Sequence, residues 1–362
     1  MPVQNFETFN TNTDTTTTTT LLHEIIPLTG TVISGTYGTF PDETNIKNYS
    51  HGMFQSVYDY PYLSSSANHI LDITMGYDES APFSGSGHVQ NAKKINMYNQ
   101  FSQVLLGYTG SNNTTEIFES DLSFADNNRQ MKSCFFISLS RLITKDQIKK
   151  GTFSITLGTG SAWDQPFNAK TGSITLSDVS ASDTGGTNNK GNSGQYGVLY
   201  NTDKRVANVG HGLIFYQAGV VVLTSSLFPI SQAKFNSGSK FSGSGPTPQT
   251  LSASFVSSSI SGNVSALRHR ISNLSFNNTT EINSTIYFCR VPHAKFNYSS
   301  NPTYTTASKV RVKTIASDTP VSYCTTIGLY NSSNELLAVA KLSEPLKKDP
   351  TSEMTLRVRL DY

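Results

Sequence analysis

The last segment of the chain fixes what the rest must supply. Over residues 354–361, Met354, Leu356, Val358 and Leu360 fall on one side and Thr355, Arg357, Arg359 and Asp361 on the other. That period of two is the signature of a β-strand with one apolar face, and no helix satisfies it. Such a strand needs a neighbouring strand and a core to cover its apolar side. Candidate partners stand upstream, where 285–291, 309–315, 321–330 and 335–342 read as strands and Asn331-Ser332-Ser333-Asn334 as a four-residue hairpin connection. The expectation is a C-terminal antiparallel sheet over 309–362 with no appended tail.

The remainder has the same texture in shorter pieces. Leu21-Leu22, Ile25-Ile26 and Thr31-Val32-Ile33 alternate with Gly30, Gly35 and Gly38. Residues 133–142 read as a buried strand; Thr144 then caps a single helical turn over 145–150, stopped by Gly151. Strands follow at 152–157, with Phe153, Ile155 and Leu157 inward, and at 172–177, 195–201, 212–216 and 219–224, separated by Gly/Asn/Ser clusters at 184–194 and 236–245. Two stretches carry helical spacing instead. Over 89–107, Ala92, Ile95, Tyr98, Phe101, Val104 and Leu105 recur at steps of three and four before Gly107; over 259–272, Ile260, Val264, Leu267 and Ile271 do the same, with Arg268, His269 and Arg270 assigned to the outward face. The fold class is therefore mainly β, antiparallel and sandwich-like, with a few helices and an extended N-terminal arm. No repeat of fixed period appears. The chain divides into a flexible or partner-ordered arm over 1–20, which contains the run Thr15–Thr20, a β-rich region with one helix over 21–235, a flexible Gly/Ser loop over 236–250, and a helix plus C-terminal sheet over 251–362.

Charge and motifs narrow the chemistry. Only 14% of residues are charged, against about 25% in an ordinary soluble domain, and the net charge of +2 argues against a generic nucleic-acid binder. No apolar run approaches the roughly 18 to 20 residues that span a bilayer, and the first twenty residues lack the basic start and apolar core of a signal peptide. Cys134, Cys289 and Cys324 have no CxxC spacing and read as buried structural thiols of a reducing compartment; the N-x-S/T triplets are set aside because no secretory signal accompanies them. The histidines at 23, 51, 69, 88, 211, 269 and 293 lack metal-ligand spacing. Lys170-Thr171-Gly172 and Ser231-Gln232-Ala233-Lys234 echo elements of penicillin-interacting serine enzymes, but in reversed order and with no S-D-N between them. Carboxylate neighbours Asp42-Glu43, Asp78-Glu79 and Glu119/Asp121 would suit glycosidic acid–base chemistry only if a cleft brought two together. Lys309, Arg311 and Lys313 on one strand and Arg357 and Arg359 on another would line a basic stripe if those strands were neighbours, to meet either water, an acidic protein or phosphate. No catalytic residue, cofactor or metal is expected.

The segment ALRHRISNLSFNNTTEINSTIYFCRVPHAKFNYSSNPTY and the stretch TTIGLYNSSNELLAVAKLSEPLKKDPTSEMTLRVRLDY, with ILDITMGYDES, MYNQFSQVLLG and SLSRLITKDQIKKGTFSITLG upstream, resemble a virion structural protein of marine contractile-tailed phages, including those infecting cyanobacteria. The resemblance spans roughly residues 69–362. It implies a non-enzymatic particle component, in the tail or baseplate rather than the neck or capsid surface, assembled in the host cytoplasm with copies of itself and other virion proteins. Contact on that reading falls to Tyr323, Tyr330, Lys347, Lys348, Arg357, Arg359 and Tyr362. Two alternatives stand beside it: a host-recognition module of the tail, for which 17 tyrosines and many Asn and Ser side chains supply stacking faces and hydrogen bonds to a surface glycan, and a tail-associated hydrolase.

Overall fold

The computed structural model describes residues 6–38, 42–109, 114–124, 128–159, 172–182, 186–189, 193–202, 209–228, 250–299, 305–306, 309–310, 317 and 319–362. It is mainly β, 45% strand against 16% helix, with an antiparallel, sandwich-like arrangement as expected. Contacts divide the chain into two compact units, 22–280 and a second made of 1–21 with 281–362. The division thus falls at residue 281, whereas the Gly/Ser loop expected to mark it lies almost wholly outside the described residues.

In chain order the elements begin with β1 (Thr15–Thr29), α1 (Gly30–Ile33), β2 (Ile46–Asn48), β3 (Gln55–Tyr58), β4 (His69–Tyr77) and α2 (Asn91–Leu105). The short pair β5 (Tyr108–Thr109) and β6 (Thr114–Thr115) precedes β7 (Ser133–Leu139), α3 (Arg141–Thr144), β8 (Gln147–Ile148) and β9 (Ser154–Gly158). Then come β10 (Ser173–Ser177), β11 (Thr187–Asn189), β12 (Gln195–Asn201), β13 (Gly210–Phe215), β14 (Val220–Thr224), α4 (Leu251–Ser257) and α5 (Ile260–Arg268). The chain closes with β15 (Ile271–Val291), β16 (Thr305–Thr306), β17 (Lys309–Val310), β18 (Ser322–Tyr330), β19 (Leu336–Lys348) and β20 (Met354–Asp361). Among the described residues 14 strands join in one antiparallel sheet along the path β1-β15-β9-β10-β12-β13-β14-β7-β4-β3-β2, with β8 and β20 on β15 and β11 on β12.

The central strands of the larger unit are buried on both faces, which is why β14 reads VVVLT without alternation. One face gathers Phe135, Ile137, Val221, Leu223, Ile214, Leu71 and Ile73 under Leu251, Phe255, Ile260, Val264 and Leu267 of α4 and α5. The other gathers Cys134, Phe136, Val220, Val222, Leu213 and Phe215 under Tyr98 and Leu105 of α2 and under Phe118, Phe124 and Met131. At about 25 cal/mol per Å² of apolar surface removed from water, these two layers are what holds the sheet. Helix α2 comes close to β4 at Gly76, where a Cβ would lie 2.5 Å from the Lys94 carbonyl oxygen and 2.7 Å from the Tyr98 nitrogen.

Several expectations are corrected. The helix over 259–272 ends at Arg268, because Ile271, Asn273, Leu274 and Ser275 pair with β9 and take the backbone into a strand; Arg268, His269 and Arg270 are consequently buried, not outward. The turn expected over 145–150 is formed earlier, as α3, and β8 occupies its middle. The arm over 1–20 does not wait for a partner: Thr15–Thr20 begins β1, and Phe288 donates its backbone N–H to the Asp14 carbonyl at 2.8 Å, while the Thr17 and Thr285 hydroxyls meet at 3.1 Å. Among the described residues the single C-terminal sheet over 309–362 is replaced by three pairings: β17 with β16, the two-stranded ribbon β18–β19, and β20 on the outer part of β15. Among the described residues β20 pairs with β15 and Lys309 with Thr306; Arg311 and Lys313, on which the expected basic stripe depends, lie outside the described residues. Of the thiols, Cys134 is buried and Cys289 and Cys324 are half-exposed.

Candidate functional site

The interior concentrates its polar chemistry at one place. Glu43 Oε1 accepts from Arg268 Nη1 at 3.0 Å and hydrogen-bonds His269 Nε2 at 3.0 Å, and Oε2 accepts from Arg268 Nη2. Arg268 also donates to the Ile33 carbonyl at 3.1 Å, and Gln55 donates to Ser265 Oγ at 3.0 Å. Burial opposes the charge on Glu43, but the Arg268 guanidinium and the hydrogen bonds from His269 and Arg268 outweigh it and hold the carboxyl at about 2. Burial, with Arg268 beside it, keeps His269 below its ordinary value. Gly35 makes room: at φ +105° it brings its backbone where a Cβ would stand 2.6 Å from Glu43 Oε1. All of these groups point at one another and none at solvent, so the cluster clamps α1, β3 and α5 together and presents nothing to a substrate.

The described residues contain no group of three His, Cys, Asp or Glu side chains placed to hold a metal ion. A cavity of 190 Å³ lined by Ser177, Val179, Ser180, Tyr200, Asn201 and Thr202 is smaller than the roughly 300 to 1,000 Å³ of ligand sites. Of the carboxylate pairs, Asp42 is exposed while Glu43 is spent in the buried clamp, and Asp78 accepts from the backbone and hydroxyl of Ser80. Lys170, Thr171 and the Ser231–Lys234 stretch lie outside the described residues.

The surface is more informative. The ribbon β18–β19 has a half-buried side, with Ile327, Leu329, Ala338 and Ala340, and a side in water carrying Thr326, Gly328, Leu337, Val339 and Lys341. Leu337 is 69% exposed and Leu336 and Val339 are each 52% exposed. Tyr330 and Leu336 lie across Gly328, where a Cβ would meet them at 2.8 and 3.1 Å. Apolar area of this kind on a two-stranded ribbon is unusual, because two strands alone are marginal in water.

The seven residues expected to make contact separate into two sets. Tyr323, directly across from Lys347 in the register, and Tyr330, edge-on to Phe6 at 5.1 Å, sit exposed on the ribbon. Arg357 and Arg359 are exposed on β20, with Arg359 donating to Asp361 at 2.7 Å, and the exposed Tyr362 follows with its hydroxyl 3.2 Å from that of Thr285. Lys347 lies near Asp349 at 3.6 Å. Lys348 is corrected: it is fully buried, and its Nζ donates to the His293 carbonyl at 3.2 Å, Asn297 Oδ1 at 2.7 Å and the Asp349 carbonyl at 2.8 Å. It caps a loop and is not free to meet a partner.

A feature that sequence reasoning missed lies on the larger unit. Tyr49 stacks on His51 at 5.0 Å, Phe54 tilts against Tyr49 at 4.8 Å, and Lys47 Nζ stands 4.8 Å from the Tyr49 ring. Tyr58 packs on His69 at 5.5 Å and on Tyr62 at 6.3 Å, while Tyr37 stacks on Tyr60 at 5.5 Å. His69 is held above its ordinary value first by its hydrogen bond to Asp72. These rings are half-exposed or exposed; the only signal for them was the density of aromatics between 37 and 69. Comparison with protein-family models, with curated proteins and with solved structures returns no match.

Proposed function

We propose that the chain is a non-enzymatic structural component of a tailed-phage virion, in the tail or baseplate rather than the neck or capsid, acting through protein–protein assembly interfaces. The observation that carries this reading is the ribbon β18–β19, whose Leu336, Leu337 and Val339 stand exposed beside Tyr323 and Tyr330 and which among the described residues has two strands. Apolar and aromatic side chains gathered on a preformed β surface are what assembly interfaces bury at their centre. The low charge of the chain suits such contacts, whose strength depends little on salt. The resemblance of residues 69–362 to virion proteins of marine contractile-tailed phages supplies the particle. Quantitative mass spectrometry of gradient-purified, protease-treated particles from a phage encoding this chain tests the reading: the expected result is a fixed copy number per particle, and its absence from particles overturns it.

A second reading, host recognition, is favoured by the aromatic cluster between Tyr37 and His69. Ring faces beside Asp72 and Lys47 suit the apolar face and hydroxyl rim of a sugar. Retention of the purified chain on host surface polysaccharide, lost on Tyr49→Ala, is its expected result; elution at the void position in the absence and presence of polysaccharide removes it.

A further inference from the structure

The two edges of the ribbon are built differently. Strand β19 carries the exposed residues Lys341, Glu344, Pro345 and Lys347, and its register against β18 jumps between Cys324↔Leu346 and Thr326↔Lys341, so a stretch of β19 bulges out of the ladder. Lysines, an edge proline and a bulge are the devices that close a strand to further pairing. Strand β18, SYCTTIGLY, has none of them: no charged residue, no proline, and β-branched or aromatic side chains at five of nine positions. Among the described residues its other edge carries no strand.

We infer that β18 pairs edge to edge and antiparallel with β18 of a second copy, turning two ribbons into a four-stranded sheet β19-β18-β18-β19. This inference rests on the assembly reading above and names its partner. A second copy is the occupant because the strand is uncharged from end to end: antiparallel pairing with itself brings no like charges face to face, and each copy supplies the same open backbone groups to the other. The guarded β19 edge would stop growth after one addition, so the product is a closed dimer and not a fibre. Four strands with an apolar face also meet the requirement that two strands fail.

Light scattering on the full-length chain at tens of micromolar tests this, with Thr326→Glu as the variant. Thr326 is exposed and lies directly across from Lys341, so a carboxylate there is complementary within one chain and repulsive near a two-fold axis between two. The expected result is about twice 39.4 kDa for the native chain and 39.4 kDa for Thr326→Glu, with an unchanged circular dichroism spectrum. Thr325→Lys, at another exposed position, is expected to give the same mass and serves if Thr326→Glu misfolds. A native mass of 39.4 kDa, or an oligomer that both variants leave intact, overturns the inference. A monomeric chain that nevertheless enters particles removes only the self-pairing; a dimer missing from particles removes the virion reading instead.

Discussion

Arg268 reaches Glu43 across 225 residues of sequence, donating to its carboxylate at 3.0 Å, and both side chains are sealed from water at 1% and 4% exposure. The pair joins α5 to the loop before β2. Removing one charge leaves the other buried without its counter-ion, which in comparable sites costs about 3 to 5 kcal/mol. Glu43→Gln is therefore expected to lower the unfolding free energy of the larger unit by that order, read from the urea midpoint, whereas a change below about 1 kcal/mol would mean that the pair is not formed.

The same cluster sets an acid limit. The Glu43 carboxyl sits at about 2 when folded against 4.5 unperturbed, so its contribution is complete above 4.5 and is lost as pH falls toward 2. His269 is lowered from 6.5, which means the unfolded chain takes up the proton first and stability starts to fall below that value. Both act in one direction. Melting temperature is expected to decline from about pH 6.5 downward and more steeply below about 4.5, with Glu43→Gln flattening the lower part.

Gly76 tests the seat of α2. It is in ordinary backbone territory, so strain comes only from space: an added methyl would stand 2.5 Å from the Lys94 carbonyl. Gly76→Ala is expected to destabilise by about 1 to 3 kcal/mol, as overpacking does, in thermal denaturation followed by circular dichroism. A neutral result would place α2 farther from β4.

Lys347 and Lys348 are sequence neighbours with opposite fates. Lys348→Ala strands three acceptors around a buried site and should cost about 1 to 3 kcal/mol, whereas Lys347→Ala should fall within about 0.5 kcal/mol of native. Chemical denaturation of both variants distinguishes them; equal effects would contradict the assignment.

What the sequence disclosed follows the range over which its signals act. The alternation from Met354 to Leu360 is local, and β20 carries it in full, with Val358 buried and Arg357 and Arg359 exposed. The apolar steps of α2 were legible only in part: Tyr98 and Leu105 are buried as their spacing suggests, whereas Val104 is exposed and Lys94 is buried. The first part of β1, Thr15–Thr20, was not legible, because a run of threonines has no apolar alternation to show; the partners of this end of the chain, Asn283, Thr285 and Phe288, lie more than 250 residues away. Arg268 stands at a step of four from Val264 and eight from Ile260, on the buried face of α5. Its charge argued for the outside, and only Glu43, invisible from that end of the chain, reverses the sign of the argument. The aromatic cluster was hidden for the same reason: Tyr58 and His69 meet through the pairing of β3 with β4, not through spacing.

The most direct measurement is a cryo-electron-microscopy map of intact particles of a phage encoding this chain. The expected density places the chain at a fixed, symmetric position in the tail or baseplate, with Leu336, Leu337 and Val339 of the ribbon covered by another subunit. A particle that lacks the chain, or one that holds it with the ribbon bare in solvent, would contradict assembly through this surface.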